Sequence, residues 1–312
     1  MTNIKKLGLT ALAGSLAATS AYAGALDVSG TAKITYVSPD ASEVAGNPFS
    51  MSQGIGFSGS GDLDNGMSIA YQYTMTDAAF SSSSLKLDMG DNGTLSYSDG
   101  VGTTGISAYD DKMPTASEEV WDDMDGEANG IATISNKGTL GYANDFGAFG
   151  VSLSFNKNDA ASPATTEGSS KSVVLTAAPA DGVSVFIGTG DQAGTTSHNT
   201  VDLMTVGGTY TSGSVTVGAQ MTEIDKAAAN TDQTRMHAAI SFAVNENLSL
   251  SYGHSVVDFD AASTVDQKNS GLGFSYTMGS MTVAGHAHNE EDTGGASGTD
   301  DTQTEVSVAF AF

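Results

Sequence analysis

The sequence predicts an all-β protein, a transmembrane antiparallel β-barrel of sixteen strands. Three observations carry this prediction. Apolar and polar residues alternate with a period of two along most of the chain, short and long connections alternate between these segments, and only the first segment has the apolar run of a helix. A strand with one apolar and one polar face can turn the apolar face to lipid and the polar face to an aqueous lumen.

The composition narrows the classes of function. The 312 residues include 36 acidic and 11 basic side chains, which give a formal net charge of -25, and there is no cysteine. This charge argues against nucleic-acid binding, because phosphates would be repelled. A hydrophobic content of 39% is too high for a disordered acidic tail. Without cysteine there is no disulfide framework, no thiolate metal site and no cysteine nucleophile.

The N-terminal segment is predicted to be an export signal. Lys5 and Lys6 precede an apolar stretch over 7–18, and the small-residue site Ala21-Tyr22-Ala23 follows. This order is typical of a secretory signal peptide, so residues 1–23 are expected to be cleaved. Residues 24–312 then form a single barrel domain. No later stretch approaches the 18 or more apolar residues that a membrane helix requires.

The strands are predicted from alternation. In residues 26–36 the even positions are apolar or glycine, and the odd positions are polar or charged. Helical spacing is nowhere sustained, which favours strands with one face away from water. The apolar positions of the other clearest strands are Met67, Ile69, Tyr71, Tyr73 and Met75; Leu85, Leu87 and Met89; Phe149, Val151, Leu153 and Phe155; Val215, Val217, Ala219 and Met221; Met236, Ala238, Ile240, Phe242 and Val244; Leu272, Phe274, Tyr276 and Met278; and Val306, Val308, Phe310 and Phe312.

The connections set the strand count. Seven tight turns rich in Gly, Asn and Asp are predicted at 64–66, 91–93, 146–148, 180–182, 212–213, 245–247 and 279–280. Eight longer polar segments alternate with them, at 38–50, 77–83, 99–137, 157–170, 190–199, 223–233, 258–269 and 289–302. Fifteen connections join sixteen strands, although the weak pattern at 129–146 leaves one hairpin open. Short turns at one end and loops at the other favour one closed barrel over a soluble sandwich.

Four segments carry a family resemblance. The opening strand 26–36, the turn 61–67, the hairpin 142–149 and the terminal strand 306–312, which ends in Phe312, resemble the general diffusion porins of Gram-negative outer membranes, of the alphaproteobacterial type. The resemblance covers the whole mature chain. It implies a sixteen-stranded barrel in the outer membrane, a homotrimer, and a C-terminal aromatic strand that the assembly machinery recognises.

The longest connection, residues 99–137, is the predicted functional segment. It follows the fifth strand, as the constriction loop of the family does, so the resemblance implies that it folds into the barrel and narrows it. Carboxylates there would attract cations and repel anions. The alternative is an exposed, solvated acidic loop. The predicted acidic constriction residues are Asp99, Asp110, Asp111, Glu118, Glu119, Asp122 and Asp123.

Three basic residues are predicted to point into the lumen. Lys33, Lys86 and Arg235 each stand beside apolar residues of their own strand, so alternation turns them inward. The resemblance implies a basic wall opposite the acidic loop and gives that role to Lys33 and Lys86, while Arg235 rests on its inward position alone. Pairing of each with a nearby carboxylate is the alternative. The chain departs from the family by lacking an arginine ladder and a Pro-Glu-Phe-Gly-Gly loop motif, which favours simple cation preference.

Other candidate sites are weaker. His286 and His288 share one strand face and could hold a metal, but solvated lumen histidines are the expectation, and no metal site or required cofactor is predicted. Acidic runs at 122–127, 290–292 and 300–301 are candidate calcium segments in external loops, which could also bridge to lipopolysaccharide. No catalytic motif is present, so no enzyme is expected.

The predicted function is a weakly cation-selective outer-membrane channel for ions and small hydrophilic solutes. Its expected partners are two further copies of the chain, outer-membrane lipid and lipopolysaccharide. Two alternatives remain open from the sequence. One is a substrate-specific outer-membrane channel, and the other is a secreted calcium-binding β-rich adhesin or surface protein.

Overall fold

The computed structural model describes residues 26–38, 46–110, 112–126, 130–131, 138–157, 167–194 and 200–312. Sixteen strands account for most of these residues, and their bounds follow. They are β1 Asp27–Ser38, β2 Phe49–Asp62, β3 Ser68–Thr76, β4 Ala79–Asp88, β5 Thr94–Asp99, β6 Thr139–Phe146, β7 Phe149–Asn156, β8 Glu167–Ala180, β9 Val183–Gly194, β10 Val201–Ser212, β11 Val215–Lys226, β12 Gln233–Ala243, β13 Leu248–Phe259, β14 Gln267–Met278, β15 Met281–Glu291 and β16 Asp301–Ala311. Short 3-10 helices span Gly90–Asn92, Ile106–Tyr109 and Thr293–Gly295.

The strands form one closed antiparallel barrel in sequence order, which confirms the predicted fold class. The seam joins β1 to β16, with Thr31 opposite Ala311. Beyond that pair the main chains of Gly30 and Phe312 exchange two hydrogen bonds, of 3.1 and 2.8 Å. Closure leaves no unpaired strand edge, which is the condition for placing a sheet in lipid. Within the described residues no helix is long and apolar enough to cross a membrane.

The outer face of the barrel is apolar. Side chains such as Leu272 and Phe149 are 64% and 66% exposed, far above what an aqueous surface would favour for residues of this size. They occupy the parity that the sequence pattern assigned to the apolar face. Aromatic rings lie near both ends, for example Phe146 at a tight turn and the Tyr36–Phe49 pair, whose ring centres are 5.2 Å apart, at the loop end. Such rings are typical of barrels that contact membrane interfaces.

The seven predicted tight turns are all present at one end of the barrel. The segment 77–83 was predicted as a long loop, and that prediction is wrong. Asp77 and Ala78 form a two-residue turn with φ of 49° and 66°, and β4 begins directly at Ala79. Two positive φ angles match the twist of a hairpin. The serines that follow pair with residues of β3 or β5. They were missed because no apolar residue alternates with them in the sequence.

Several strands extend past the predicted boundaries at the loop end. For example, β8 begins at Glu167 and β15 continues to Glu291. There the backbone ladder continues while the outer side chains become charged, as in the pair of Lys171 Nζ and Asp191 Oδ1 at 3.5 Å. Periodicity of apolar residues marks only the part of a strand that faces lipid. It therefore underestimates the length of strands that extend beyond the bilayer.

The segment between β5 and β6, residues 100–138, is called loop 3 below. Its described residues lie inside the barrel and pack against the lumen wall. The two clusters of buried apolar side chains both join loop 3 to that wall. The buried apolar core therefore lies on one side of the barrel axis, between loop 3 and the wall. This packing fixes the position of loop 3, which carries the candidate functional residues.

Candidate functional site

Loop 3 enters the lumen through a turn fixed by the wall. The amide of Gly105 donates to Ser152 Oγ of β7, and the amide of Ile106 donates to Ser172 Oγ of β8, each at 2.8 Å. Gly105 has a φ of 66°, and a Cβ at this position would collide with Ser154 and Ser172. Glycine is required here both by its backbone angle and by close approach to the wall.

The underside of loop 3 is apolar and is buried against an apolar part of the wall. Ile106 and Ile131 of the loop pack with wall residues of β8 to β11, and Trp121 packs in a second cluster further along the loop. Full burial of each large side chain stabilises the arrangement by about 1.5–3 kcal/mol. The predicted polar lumen face is replaced by apolar residues in this part of the wall, because loop 3 shields it from water. The wall residues are Val174, Phe186, Leu203, Ile224 and, in the second cluster, Val257.

Polar wall side chains hold the loop backbone between these clusters. Gln220 Nε2 donates to the carbonyl of Tyr109 at 3.1 Å, and Thr222 Oγ1 donates to the carbonyl of Gly130 at 2.7 Å. The amide of Ala116 donates to Ser251 Oγ at 2.9 Å. Backbone groups that leave water must find such partners, so the wall supplies what a strand partner would supply elsewhere.

Two wall carboxylates hold the far end of the described loop. The amide of Gly126 donates to Glu290 Oε1 at 2.9 Å, and the amide of Asp125 donates to Asp301 Oδ2 at 3.1 Å. Glu290 is fully buried, and its second oxygen accepts hydrogen bonds from Gln267 Nε2 at 2.9 Å and Asn269 Nδ2 at 2.5 Å. Charge-assisted bonds of this kind are among the stronger ones in proteins.

The position of Glu290 and Asp301 corrects the sequence interpretation. Both were assigned to external acidic loops, but both lie on strands with side chains turned into the lumen. The sequence did contain a sign that Glu290 points inward, because Glu290 lies on the same even-numbered strand face as His286 and His288. Acidic composition obscured it, since neighbouring Glu291 and Asp292 resemble a solvated run.

The open part of the lumen borders β1 to β4. Their inward side chains are small, polar or charged of either sign, and many are exposed to the lumen, as Thr31, Gln72 and Lys86 are. The wall contacts of loop 3 described above all lie on strands from β7 to β16. Solvent space is thus bounded by the acidic loop on one side and the wall of β1 to β4 on the other.

The basic residues fall in two different places. Lys33 and Lys86 lie on the open wall as predicted, and Lys33 Nζ is 3.5 Å from Glu305 Oε1 of β16. Arg235 also points inward but is only 8% exposed, with two hydrogen bonds to Gln233 Oε1 of 3.3 and 2.9 Å and an electrostatic interaction with Asp110. Its assignment to the open pore wall is therefore corrected: it lies among residues that hold loop 3.

The carboxylates predicted for the constriction also lie in different places. Glu118, Glu119 and Asp122 come together, with one oxygen of each within 4.8 Å of the others. Asp123 follows them at a φ of 61° and is exposed. Asp110 is further back, where its Oδ1 accepts the amide of Ile131 at 2.6 Å.

Two predicted carboxylates do not join this group. Asp99 ends β5 on the parity of Leu95 and Tyr97, whose side chains lie on the outer face, so its assignment to the constriction is wrong. The error arises because Asp99 still belongs to the strand ladder, opposite Ser83. Asp111 lies outside the described residues.

The lumen histidines are buried, which contradicts the expectation that they are solvated. His286 and His288 of β15 stack with ring centres 4.1 Å apart and an interplanar angle of 17°. His288 Nδ1 is 3.4 Å from the carbonyl of Asp122. Loop 3 covers both rings, so the constriction residues and the histidines form one region.

Lys33 and the acidic loop approach the same histidine. Glu118, Asp123 and Lys33 all act electrostatically on His286. Opposite charges therefore face the lumen at one level, the carboxylates from loop 3 and the ammonium from β1. Such an arrangement in a narrow space bounded by protein concentrates the local field and discriminates between ions by charge.

Comparison with known proteins places the chain in a family. A family model described as a Gram-negative porin matches residues 8–312. No curated protein sequence matches the chain. The chain belongs to the Gram-negative porin family, and it is accordingly an outer-membrane β-barrel that forms a diffusion channel.

Solved structures show the same fold at low sequence identity. A porin refined at 1.8 Å resolution is 15% identical, with a TM-score of 0.72 over 92% of this chain and 100% of that chain. An anion-selective porin from Comamonas acidovorans is 13% identical, with a TM-score of 0.69 over 92% of this chain and 99% of that one. A mutant of the Rh. blastica porin is 15% identical, with a TM-score of 0.65 over 92% and 100%.

Proposed function

We propose that this porin forms a water-filled, weakly cation-selective pore for ions and small hydrophilic solutes. The observation that carries the proposal is the distribution of charge at the constriction. Glu118, Glu119, Asp122 and Asp123 stand on loop 3, whereas the open wall offers Lys33 and Lys86. Glu305 lies beside Lys33 and offsets part of its charge. Carboxylates therefore outnumber ammonium groups, which favours cations.

Planar-bilayer recording in a salt gradient tests the selectivity. Purified protein should give stable channels whose reversal potential has the sign of cation preference, and this preference should weaken as salt screens the carboxylates. A reversal potential of the opposite sign would overturn the proposal. That comparison is informative because one protein of the same fold, from Comamonas acidovorans, is anion-selective.

We infer that the working unit is a homotrimer in outer-membrane lipid. The support is membership of the porin family together with an apolar outer face that can contact lipid or another barrel. The same membership favours a channel over a secreted calcium-binding adhesin. Light scattering of the detergent-solubilised protein, corrected for bound detergent, should give three chains per particle.

We also infer that lipopolysaccharide binds the outer surface near the loops through divalent cations. Outward-facing carboxylates at the loop ends of β10 to β13 support this proposal: Asp202, Glu223, Asp225 and Asp258. Calcium would link these groups to phosphates. Copurified lipopolysaccharide should be released by a chelator, and retention in the chelator would contradict the inference.

A further inference from the structure

A row of small residues crosses the part of the wall that loop 3 covers. Strands β11 to β15 pair so that one inward residue of each strand lies opposite an inward residue of the next. The row consists of Gly218, Ala239, Gly253, Gly271 and, at its end, His288. Glycine weakens the interior of a strand and often marks a close approach by another part of the chain. Three glycines in one row therefore indicate that something lies against the backbone of this wall.

Loop 3 occupies the space that larger side chains in this row would fill. A Cβ at Gly253 would lie 2.6 Å from Val120 Cγ1, and a Cβ at Gly218 would lie 2.6 Å from Pro114 Cδ. Restoring an ordinary van der Waals contact of 3.4 Å would require a shift of about 0.8 Å at each place. Val120 and Pro114 both belong to loop 3, so the loop rests directly on the backbone of the wall.

The contact at Gly253 lies in a part of loop 3 that the wall holds on both sides. The amide of Ala116 donates to Ser251 Oγ at 2.9 Å, and the carbonyl of Asp122 lies 3.4 Å from His288 Nδ1. Val120 itself is 5% exposed, and a β-branched side chain has few alternative rotamers with which to turn aside. The polar contacts draw the loop towards the wall, and the wall backbone limits how near it comes.

Inward glycines of the open wall lack this relation to loop 3. For a Cβ at Gly56 of β2, the one atom within 4 Å in the described part of the chain is Ser29 Oγ, at 2.7 Å. That hydroxyl ends a short side chain, which can move to another rotamer. An added methyl group at Gly56 therefore has no contact through which to move the loop.

We propose that Gly218 and Gly253 are positioning residues for the constriction. They set the distance between loop 3 and the wall, and with it the width of the open lumen. Loop 3 lies between this wall and the open wall of β1 to β4, so any shift away from the two glycines carries it into the lumen. The diameter of a pore is one of the properties that decide which solutes pass. The inference rests on the proposed function in one respect, namely that the lumen conducts.

Gly253→Ala tests the proposal through the size of the channel. The added methyl group should push Val120 and loop 3 into the lumen. Single-channel conductance in planar bilayers should fall, and liposome swelling should show a lower size limit for neutral sugars. Gly56→Ala is the matched control, because it adds the same group to the opposite wall and should leave both properties close to those of the unmodified protein.

Val120→Ala provides a rescue that a merely structural role would not produce. Val120 Cβ lies 3.6 Å from the position of a Cβ at Gly253, which is an ordinary contact. The Gly253→Ala, Val120→Ala double variant should therefore recover the conductance of Val120→Ala alone. A role of Gly253 in strand stability alone would lower the denaturant midpoint and leave the conductance of folded channels unchanged. Unchanged conductance in Gly253→Ala, or a double variant as narrow as the single one, overturns the proposal.

Gly218→Ala decides the question if Gly253→Ala fails to refold. It makes the same change at the other end of the row, against Pro114 instead of Val120. The conductance and the sugar size limit should again fall below those of Gly56→Ala. Values equal to those of Gly56→Ala would overturn the proposal.

Trp121 separates this proposal from the proposed pore. It is the one tryptophan of the chain, it follows Val120 directly, and it is 3% exposed. Gly253→Ala should shift its fluorescence to longer wavelength because the ring meets water, and the double variant should reverse the shift. If the unmodified protein forms no channels but the shift and its reversal occur, the pore is defeated and the positioning role stands. Channels in which neither conductance nor fluorescence responds would defeat the positioning role and leave the pore standing.

Discussion

Lys33 shows how one side chain contributes to ion preference. It faces the open lumen from β1, near enough to Glu305 for an ion pair at 3.5 Å and opposite the loop 3 carboxylates. The ion pair is partly exposed, so its contribution to stability is small, about 0–1 kcal/mol. Its effect on passing ions is therefore the more informative property.

Reversing this charge should raise cation preference. At about 5 Å in water a unit charge changes the energy of a monovalent ion by about 1 kcal/mol, so Lys33→Glu is worth roughly 2 kcal/mol before screening by salt. The reversal potential in a salt gradient measures it. Lys171→Glu, on the outer face, is the control and should leave selectivity unchanged.

Neutralising the acidic group should act in the opposite direction. Combined amide substitution of Glu118, Glu119, Asp122 and Asp123 removes four negative charges from loop 3 with little change in size, so the permeability ratio of cations to anions should fall. Unchanged selectivity would place these carboxylates outside the ion path. The same amide change at Asp99, which lies on the outer face, provides the comparison.

Loop 3 is an element whose position depends on buried groups of the wall. Glu290 is its most demanding anchor, because one carboxylate serves the amide of Gly126 and the side chains of Gln267 and Asn269. Removing this acceptor takes one hydrogen bond from each of these three donors, and a buried donor left with no partner at all costs about 1–3 kcal/mol.

Glu290→Ala should therefore loosen loop 3. We expect a lower denaturant midpoint for the barrel in detergent and larger fluctuations of the open-channel current. Glu290→Gln should retain part of the stability, because it keeps an acceptor oxygen. Glu291→Gln is the matched control, since its side chain is exposed on the other face of the strand. Quiet channels in Glu290→Ala would show that the loop does not depend on this carboxylate.

The outer and inner faces of the strands differ in how well the sequence predicts them. Period two identified the outer face of the eight strands whose apolar positions were predicted, because contact with lipid imposes one strict requirement on alternate residues. The inner face has no single requirement. Leu203 and Phe186 are inward and apolar because loop 3 covers them, and no local pattern reports what a segment about a hundred residues away will cover.

A partial signal was present in these strands. Val173 and Val174, and likewise Leu203 and Met204, place apolar residues on both parities, which indicates that both faces are shielded. For the buried hydrogen bond between Glu290 and a loop amide, the sequence indicated only that Glu290 lies on the inner face of its strand. The turn at Asp77 and Ala78 lacks glycine, so its positive φ angles could not be anticipated from residue type.

The whole barrel depends on an apolar exterior and an aqueous interior. Leu272 lies midway along β14 and is 64% exposed on the outer face. Leu272→Arg should destabilise the barrel in lipid by about 2–4 kcal/mol, the cost of an arginine on the lipid face at mid-strand. Gln72→Arg puts the same side chain on the lumen face of β3 and should cost much less. Denaturant unfolding in lipid vesicles measures the difference, and equal losses would contradict the assignment of faces.

Loop 3 also constrains the order in which the molecule can form. Its amides at 125 and 126 bond to groups 176 and 164 residues further along the chain, on the last two strands. Contacts of such high sequence separation form late and slowly. The last contacts of the constriction can therefore form only when β15 and β16 are in place. The same two strands bring the barrel round to β1, so the end of loop 3 and the seam of the barrel both depend on the C-terminal hairpin.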